Sequence, residues 1–379
     1  MKKFSLVIPV FQTPGILKLF LESLETTLEY ESQIIFIDDA SPKESQKLLF
    51  DFKDKNQHHD ITIITHKICK GCVYNINKAF DSVYGEYTVM LDSDIILNMG
   101  WQSKLLDTFE TSNNIGAVGA RLVYPQSGGI QNCGLVFSEC MIKHLFFLSS
   151  QSSIKWSKEL IKVQSTVFAF CAIPTRIIRE IGKLDNLFFN GNEDVDYQLR
   201  IGKKGYNIYV NPDIEVLHWE KSNGIHRKFN QRNNLCNIWK KHSDFIKPDL
   251  FDFIMNRLYS LISLSEDFVL IDFSESKVDS NKLIHLLKEK FSLLTVDDYS
   301  YCCNASNPIW LPELLHGEHL CLKKRYVFLC DTFIQLCENQ YWYNLRKTIN
   351  DNDLIIDFNG NVVLFSELEK TFWPNRKYR

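Results

Sequence analysis

The chain of 379 residues carries 43 lysines and arginines against 46 aspartates and glutamates, a formal net charge of −3. With 45% hydrophobic and 23% charged residues, its composition is that of a folded globular protein and excludes a disordered one. The length exceeds that of one ordinary domain and favours two. No long basic stripe is present, so the sequence gives no support to a nucleic-acid partner.

The predicted elements begin with a strand at the N-terminus. The apolar run Phe4–Phe11 follows two lysines, as a signal peptide would, but it contains Pro9 and lacks a small-residue cleavage site. No stretch reaches the roughly 18 apolar residues of a membrane-spanning helix. We therefore expect a cytoplasmic protein without a transmembrane segment. Basic residues in Lys370–Arg379 leave peripheral contact with the inner membrane face as an alternative to a solvated tail.

The first two-thirds of the chain alternate strands with helices. Hydrophobic patterning predicts strands at Phe4–Val10, Ile34–Ile37, Ile61–Thr65 and Tyr87–Leu91, with helices over Leu17–Leu28 and Cys72–Val83. This rhythm predicts an α/β fold with a mostly parallel sheet and helices on both faces. Ligands of such sheets bind beyond the carboxyl ends of the strands. Two acidic clusters, Asp38-Asp39 and Asp92-Ser93-Asp94, follow such ends.

Shorter elements are predicted next, and the pattern begins again near Phe251. The predicted strands are Ala117–Val123, Ile130–Phe137, Phe168–Ile173, Ile208–Val210, Glu215–His218, Phe268–Phe273 and Tyr326–Cys330, and the helices are Trp101–Thr111, Glu193–Lys204 and Lys282–Phe291. Asn359-Gly360 between two apolar runs predicts a hairpin. We therefore predict two domains, 1–245 and 246–379, the second a smaller α/β accessory domain of unknown role.

Eleven cysteines are scattered along the chain. Their odd number and the adjacent pair Cys302 and Cys303 argue against a framework of disulfides. The sequence therefore predicts mostly buried thiols in a reducing compartment.

Asp92-Ser93-Asp94 is the sharpest chemical feature. In an extended backbone, residues two apart point to the same side, so the two carboxylates converge. Such a pair suits Mg²⁺ or Mn²⁺, which take one or two carboxylates together with substrate phosphates. The alternative is a solvated acidic turn.

A second acidic run, Gly191-Asn192-Glu193-Asp194-Val195-Asp196, opens a predicted helix. The positive end of the helix dipole keeps a carboxylate ionised there, as a general base requires. Acidic residues that only stabilise the helix terminus are the alternative interpretation. His218, at the end of a strand, is either structural or a metal ligand, and imidazole suits Mn²⁺ better than Mg²⁺.

The order of these motifs resembles family 2 glycosyltransferases of the GT-A fold. The motifs are Val7-Ile8-Pro9-Val10-Phe11, Ile37-Asp38-Asp39-Ala40-Ser41, Leu91-Asp92-Ser93-Asp94, Gly191-Asn192-Glu193-Asp194-Val195-Asp196 and Val216-Leu217-His218. Ile130-Gln131-Asn132-Cys133-Gly134, followed by Lys143-His144-Leu145, is similar to a bacterial subgroup of that family. The resemblance covers roughly residues 1–240.

The resemblance implies inverting transfer of a sugar from a nucleotide diphosphate donor, a UDP-sugar first among them, to a glycan, lipid-linked or protein acceptor. It implies a divalent cation, Mn²⁺ rather than Mg²⁺. The residues it assigns to the donor are Pro9, Phe11 and Asp39 at the base, Asp92 near the ribose, and Ser93, Lys70 and Asn77 as further contacts. To the metal it assigns Asp94, His218 and Asp92. It makes Asp194 the catalytic base, with Glu193 orienting the acceptor and Asn192 and Trp219 near it.

Three positions depart from the family pattern. Gln12 and Cys69 replace asparagines that are usual there, and Asn132 replaces a frequent histidine. Two other interpretations are weighed against the transferase. A sugar nucleotidyltransferase would carry a Gly-rich basic loop, for which Thr13-Pro14-Gly15 is a poor substitute. A catalytically silent binding module would not need the acidic clusters and His218.

Overall fold

The computed structural model describes residues 2–11, 14–151, 154, 156, 158–219, 225–261, 268–291, 295–297, 325–338 and 351–367. Gln12, Thr13, Cys302, Cys303 and the basic tail Lys370–Arg379 lie outside the described residues. The chain divides into two compact units, Met1–Leu135 with Trp156–Ile246, and Val136–Lys155 with Lys247–Arg379. The internal segment Val136–Lys155 therefore groups with the second unit, whereas the sequence predicted a continuous first domain.

Twelve strands and seven helices precede residue 247 in the described part of the chain. The strands are β1 Phe4–Val10, β2 Ser32–Asp38, β3 Asp60–Thr65, β4 Tyr87–Leu91, β5 Ile95–Leu97, β6 Ile115–Val123, β7 Ile130–Asn132, β8 Leu135–Phe137, β9 Ile142–His144, β10 Ile161–Val163, β11 Phe170–Pro174 and β12 Asn207–His218. The helices are α1 Pro14–Thr27, α2 Lys43–Lys55, α3 Cys72–Phe80, α4 Trp101–Glu110, α5 Thr175–Ile181, α6 Glu193–Lys203 and α7 Ile225–His242.

The large sheet of the first unit has the order β10-β12-β6-β11-β4-β1-β2-β3, with β5 paired to β12 and β7 to β6. Strands β3, β2, β1 and β4 are parallel, and so are β6 and β12. Strand β11 runs antiparallel between β4 and β6. The carboxyl ends of β1, β2, β4, β6 and β12 consequently meet at one edge, which confirms the predicted mostly parallel α/β sheet.

The sheet is buried on both faces, as the continuous apolar run of β1 requires. Phe4, Leu6 and Ile8 are fully buried in one cluster with Phe20 of α1 and Trp101 of α4. Alternation along β1 places these three residues on a single face. Burying such side chains contributes on the order of 2 kcal/mol each and fixes the helices against the sheet.

Two strand predictions were wrong in detail. Ile130–Phe137 is not one strand, because Gly134 adopts φ +103° and separates β7 from β8. A Cβ at Gly134 would lie 2.6 Å from Val163 Cγ1, so only glycine fits there. The predicted strands Ile208–Val210 and Glu215–His218 are one strand, β12, interrupted by a register shift between Asn211 and Glu215.

The second unit has its own α/β sheet in the described residues. Its elements after residue 246 are α8 Leu250–Leu261, β13 Phe268–Asp272, α9 Lys277–Lys290, β14 Thr295–Asp297, β15 Arg325–Cys330, α10 Phe333–Glu338, β16 Leu354–Asp357 and β17 Val362–Leu364. The order is β14-β13-β15-β16-β17, with β17 antiparallel to β16 and the other pairs parallel. The hairpin predicted at Asn359-Gly360 is thus confirmed, with Gly360 at φ +78°.

Within the second unit, hydrogen bonds attach the internal segment to the C-terminal sheet and helices. Phe137 N donates to Asp249 Oδ1 at 2.8 Å, and Phe146 N donates to Asn359 O at 2.9 Å. A Cβ on Gly360 would lie 2.8 Å from Leu145 Cδ1. These contacts join residues far apart in sequence, so no local pattern predicted them. No helix among the described residues is long and apolar enough to cross a bilayer.

Candidate active site

The Asp92-Ser93-Asp94 turn follows the buried strand β4 at the carboxyl edge of the large sheet. Asp92 N donates to Ala169 O at 3.1 Å, just before β11. Trp219 N donates to Asp94 O at 3.1 Å, just after β12. These two hydrogen bonds fix the backbone of the turn to residues next to β11 and β12. The sheet therefore determines where the two carboxylates lie.

His218 lies beside both carboxylates. Its Nε2 is 3.2 Å from Asp94 Oδ1 and 3.8 Å from Asp92 Oδ2. The His218 side chain is 11% exposed and that of Asp94 19%, whereas that of Asp92 is 42% exposed. The cluster thus opens to solvent on the Asp92 side.

The donor atoms of this cluster fit a divalent cation. One ligand atom from each of Asp92, Asp94 and His218 lies within 4.8 Å of the others. Two carboxylate oxygens and one imidazole nitrogen are the ligands that Mn²⁺ accepts, and the carboxylates also suit Mg²⁺. Among the described residues, Asp92, Asp94 and His218 form the one group of three or more His, Cys, Asp or Glu side chains whose ligand atoms are close enough to hold a metal ion.

Gln131 is a residue of this cluster that the sequence analysis left out of the site. Its Oε1 is 2.6 Å from His218 Nδ1, and Gln131 is only 3% exposed. The residue belonged to a recognised motif, but nothing in the sequence indicates that β7 lies beside the end of β12.

Asp39 follows β2 at the same edge and holds the loop that leads into α3. Its carboxylate accepts hydrogen bonds from Lys70 N at 2.7 Å, Gly71 N at 2.9 Å and the Cys69 thiol at 3.0 Å. Although burial alone would raise the pKa of Asp39, the hydrogen bonds from Cys69 and from the Lys70 and Gly71 amides lower it below its ordinary value. Asp39 is therefore an ionised group that is only 4% exposed.

The other predicted donor residues occupy different positions around Asp39. Pro9 is half-buried in β1 beside β2, and Phe11 is 42% exposed beyond the end of β1. Lys70 is exposed, and its Nζ lies 5.8 Å from the centre of the Tyr74 ring.

The side chain of Asn77 makes hydrogen bonds within the fold. Its Nδ2 donates to Leu184 O at 3.0 Å, and its Oδ1 accepts from Leu184 N at 2.7 Å. Asn77 thereby ties α3 to the segment before α6. Because both groups of the amide are engaged with one backbone, Asn77 is left out of the proposed donor site.

Three consecutive residues with positive φ precede α6. The φ angles are +49° at Asn190, +149° at Gly191 and +65° at Asn192. Asn234 of α7, which is 3% exposed, donates from Nδ2 to Gly191 O at 2.8 Å and to Phe189 O at 3.1 Å. Strain of this kind persists where surrounding contacts enforce it and is typical of functional sites. No motif or periodicity in the sequence points to Asn234.

This strained turn presents the second acidic run. Glu193 Oε2 accepts a hydrogen bond from Gly191 N at 2.6 Å, and Asp194 Oδ1 accepts from Val195 N at 2.8 Å. Both carboxylates lie in the first turn of α6, where the helix dipole favours negative charge. Asn192, the predicted acceptor contact, is the N-cap residue of α6.

The Cys72 thiol connects the acidic groups at the carboxyl edge. Burial raises its pKa well above the ordinary value, and the charges of Glu193, Asp92, Asp194 and Asp39 raise it further. The negative charges of these four carboxylates therefore all act on the Cys72 thiol. Cys69 and Cys72 have a Cys-x-x-Cys spacing, although neither belongs to the group of described residues that can hold a metal ion.

The loops that carry these groups are in direct contact. Gly71 has φ +84°, and a Cβ built on it would lie 3.4 Å from Phe189 Cε2 and 3.6 Å from Asn190 Oδ1. The Asp39-bound loop and the turn before α6 therefore pack together.

Asp196, the last acidic residue of that run, serves the fold. It is fully buried and contacts Lys241 Nζ at 2.5 Å, His242 Nε2 at 2.8 Å and Arg200 Nε at 3.0 Å. These contacts attach α6 to α7. Asp196 is thus a buried structural residue, in contrast to Glu193 and Asp194 at the start of α6.

Residues 5–181 match the model of glycosyl transferase family 2. This part of the chain is similar to the glycosyl transferase family 2 model. The match confirms the resemblance drawn from the motifs.

Two relatives with a named product come from Staphylococcus epidermidis. Each is called a poly-beta-1,6-N-acetyl-D-glucosamine synthase and is 23% identical over 195 residues, which is 51% of this chain and 44% of theirs. The chain thus spans less than half the length of these relatives.

Two solved structures resemble this chain in fold. GalNAc-T7 with UDP, GalNAc and Mn²⁺ superposes with a TM-score of 0.52 at 15% identity, over 84% of this chain and 59% of that one. The mannosyltransferase PcManGT of Pyrobaculum calidifontis, in complex with GDP-Man and Mn²⁺, gives a TM-score of 0.48 at 15% identity, over 65% and 66% of the two chains. The likeness to GalNAc-T7 supports the predicted GT-A fold.

Proposed function

We propose that this protein is a metal-dependent inverting glycosyltransferase that moves a sugar from a nucleotide diphosphate donor to an acceptor hydroxyl. The observation that carries the proposal is the convergence of Asp92, Asp94 and His218 at the carboxyl edge of a domain similar to the glycosyl transferase family 2 model. Asp194, at the start of α6, is a further carboxylate whose charge, like that of Asp92, raises the pKa of the Cys72 thiol. The proposed metal ligands and the proposed base are thus assigned to the same edge of the sheet.

Asp94 and His218 are the proposed metal ligands, with Asp92 as the more exposed third. A divalent cation held there supplies positive charge that offsets the growing negative charge of a leaving diphosphate. We favour Mn²⁺ over Mg²⁺ because an imidazole nitrogen belongs to the ligand set.

The donor nucleotide is proposed to lie along the ends of β1, β2 and β4. Asp39 would contact the base, with Pro9 beneath it and the exposed ring of Phe11 beside it. Asp92 and Ser93 would approach the ribose, and Lys70 would turn from Tyr74 toward a phosphate. UDP is the first nucleotide to test, because the resemblance to family 2 glycosyltransferases puts UDP-sugars first among the donors.

Asp194 is the proposed general base. Its position in the first turn of α6 keeps the carboxylate ionised, so that it can accept the proton of an acceptor hydroxyl as that oxygen attacks the anomeric carbon. Glu193, held by the Gly191 amide, would orient the acceptor. Placing both substrates at one edge removes much of the entropic cost of bringing them together.

The acceptor is proposed to be a glycan, a lipid-linked sugar or a protein, in the synthesis of a bacterial surface glycan or glycoconjugate. Asn192 and Trp219 flank the two acidic clusters, and the Trp219 ring offers a stacking surface for a sugar. We also propose that residues 1–245 carry catalysis, that 246–379 form an accessory domain, and that the protein works in the cytoplasm or at the inner membrane face.

A thermal-shift screen of nucleotide sugars, with and without Mn²⁺, tests the proposal. A ligand that binds the native state raises the melting temperature by mass action, so the true donor stabilises the protein only when Mn²⁺ is present. The stabilising donor is then incubated with enzyme and the released nucleotide diphosphate is measured. Binding without release above background would indicate a silent binding module, and release of pyrophosphate from a nucleoside triphosphate and a sugar phosphate would indicate a nucleotidyltransferase.

A further inference from the structure

The hydrogen bond between Gln131 and His218 decides which nitrogen of the imidazole can bind a metal. Gln131 Oε1 lies 2.6 Å from His218 Nδ1, and the two residues are 3% and 8% exposed. An amide oxygen can only accept, so this bond requires a proton on Nδ1.

A neutral imidazole carries one ring proton, and His218 has an acceptor at each nitrogen. Gln131 Oε1 faces Nδ1, while Asp94 Oδ1 lies 3.2 Å from Nε2. If the proton stood on Nε2, His218 would donate it to Asp94 and no nitrogen lone pair would face the carboxylates. With the proton on Nδ1, the lone pair of Nε2 points at the ligand atoms of Asp92 and Asp94.

Gln131 is held by a rigid piece of structure. It lies in β7, which pairs with β6 through Leu122 opposite Asn132. The Asn132 side chain closes the next turn, since Asn132 Oδ1 accepts from Gly134 N at 2.9 Å and Nδ2 donates to Gly134 O at 3.2 Å. The amide of Gln131 is thus presented from a fixed strand end.

We propose that Gln131 is a positioning residue that keeps the ring proton of His218 on Nδ1 and thereby reserves Nε2 for the cation. The inference rests on the metal role proposed above for Asp94 and His218. Partners of metal-bound histidines fix the tautomer and orientation of the ring, and their loss typically weakens metal binding by about 10- to 100-fold.

The test uses the full-length chain and two readouts that need no catalysis. The ring nitrogens of ¹⁵N-labelled histidine report the tautomer of His218 by NMR in metal-free protein, at a pH where the ring is neutral. Titration with Mn²⁺ alone, followed by the EPR signal of the free ion, gives the affinity. Gln131→Met removes the acceptor at similar volume, and Gln131→Glu keeps it. Gln102→Met is the matched control, because Gln102 is also fully buried but bonds the Glu29 and Tyr30 amides.

We expect an Nδ1–H tautomer in the wild type and in Gln131→Glu, and an Nε2–H tautomer in Gln131→Met. We expect Mn²⁺ affinity to fall about 10- to 100-fold in Gln131→Met and to stay within about threefold of wild type in the other two variants. An Nε2–H tautomer in the wild type would overturn the inference even if Gln131→Met does not fold. Unchanged Mn²⁺ affinity in a folded Gln131→Met would also overturn it. Absence of Mn²⁺ binding in the wild type would instead contradict the proposed function.

Discussion

His218 Nε2 lies 3.2 Å from Asp94 Oδ1, although Asp94 follows β4 and His218 is the last residue of β12. Strand β5 explains this proximity, because it starts directly after Asp94 and pairs antiparallel with β12, with Ile95 opposite His218. The sheet therefore builds the ligand set by register, without a mobile loop. A second carboxylate, Asp92, converges on the same imidazole. Two carboxylates this close repel each other, and a divalent cation relieves that repulsion.

Replacing Asp194 with asparagine should abolish transfer and leave binding intact. Asparagine keeps the volume and the hydrogen bond from Val195 N but cannot accept the proton of the acceptor hydroxyl. We expect kcat to fall about 10²- to 10⁴-fold, the usual contribution of a general base, with the Kd of donor and Mn²⁺ unchanged. Asp213→Asn, at an exposed position of β12, is the control. Transfer within a few-fold of wild type in Asp194→Asn would remove this residue as the base.

Asn234 should matter to catalysis although it lies on α7. Its Nδ2 bridges Phe189 O and Gly191 O, so Asn234→Ala leaves a strained turn without its support. We expect the free energy of unfolding to fall by about 1–3 kcal/mol and kcat to fall, with little change in donor Kd. Urea unfolding and steady-state kinetics measure both quantities. Asn233→Ala, its exposed neighbour, should be silent, and equal effects in the two variants would contradict the account.

The buried aspartate of α6 predicts a change in acid stability. Burial would raise the pKa of Asp196, but hydrogen bonds from His242 and Lys241 and the charge of Arg200 lower it to about 2, against an ordinary value of 3.8. At pH values above the unfolded-state pKa, a carboxylate whose folded-state pKa is depressed stabilises the folded protein, here by about 2 kcal/mol. That contribution disappears as the pH falls through the folded-state pKa of about 2. Wild type should therefore lose this contribution between about pH 4 and pH 2.

Asp196→Asn tests this directly in urea unfolding from pH 2 to pH 7. At neutral pH the variant should be destabilised by about 2 kcal/mol, the contribution of the depressed pKa, because asparagine removes the negative charge beside Lys241 and Arg200. The difference between variant and wild type should shrink below pH 4. Asp81→Asn, which breaks only the exposed pair with Lys183, should cost less than about 1 kcal/mol at every pH. A difference for Asp196→Asn that does not change with pH would rule out the depressed pKa.

The internal segment Val136–Lys155 predicts that the first unit does not tolerate simple truncation. In a chain ending at residue 246, Phe137 N loses Asp249 and Phe146 N loses Asn359. Unpaired backbone groups cost about 1–3 kcal/mol each where they stay buried. We expect residues 1–246 to aggregate, and to become more soluble when 136–155 is replaced by a flexible linker of the same length. A monodisperse 1–246 chain with the segment intact would contradict this dependence.

Much of the fold could be predicted because the pattern is local. The buried runs of β1, β2 and β4 alternate with amphipathic helices, and parallel order follows from that alternation. The acidic turns were recognisable because they follow such runs at the edge where ligands bind. The hairpin at Asn359-Gly360 was predicted for the same reason, since its turn chemistry lies within two residues.

The missed features all depend on contacts between distant parts of the chain. Gln131 is important because β7 lies near the end of β12, and Asn234 because α7 crosses the turn before α6. Neither contact produces a periodic pattern in the sequence. The Asn77 amide was read as a donor contact, but its partner is the Leu184 backbone far along the chain. Local patterns predict elements, whereas side-chain partners require the tertiary packing.

Calorimetric titration of a nucleoside diphosphate tests the central claim most directly, using the nucleotide identified by the thermal-shift screen. We predict that wild type binds the nucleotide in the presence of Mn²⁺ and at least tenfold more weakly without it. In Asp94→Ala the Mn²⁺ dependence should vanish, while Asp213→Ala should behave as wild type. Equal Mn²⁺-dependent binding by Asp94→Ala and wild type would contradict the assignment of the cation to Asp94 and His218.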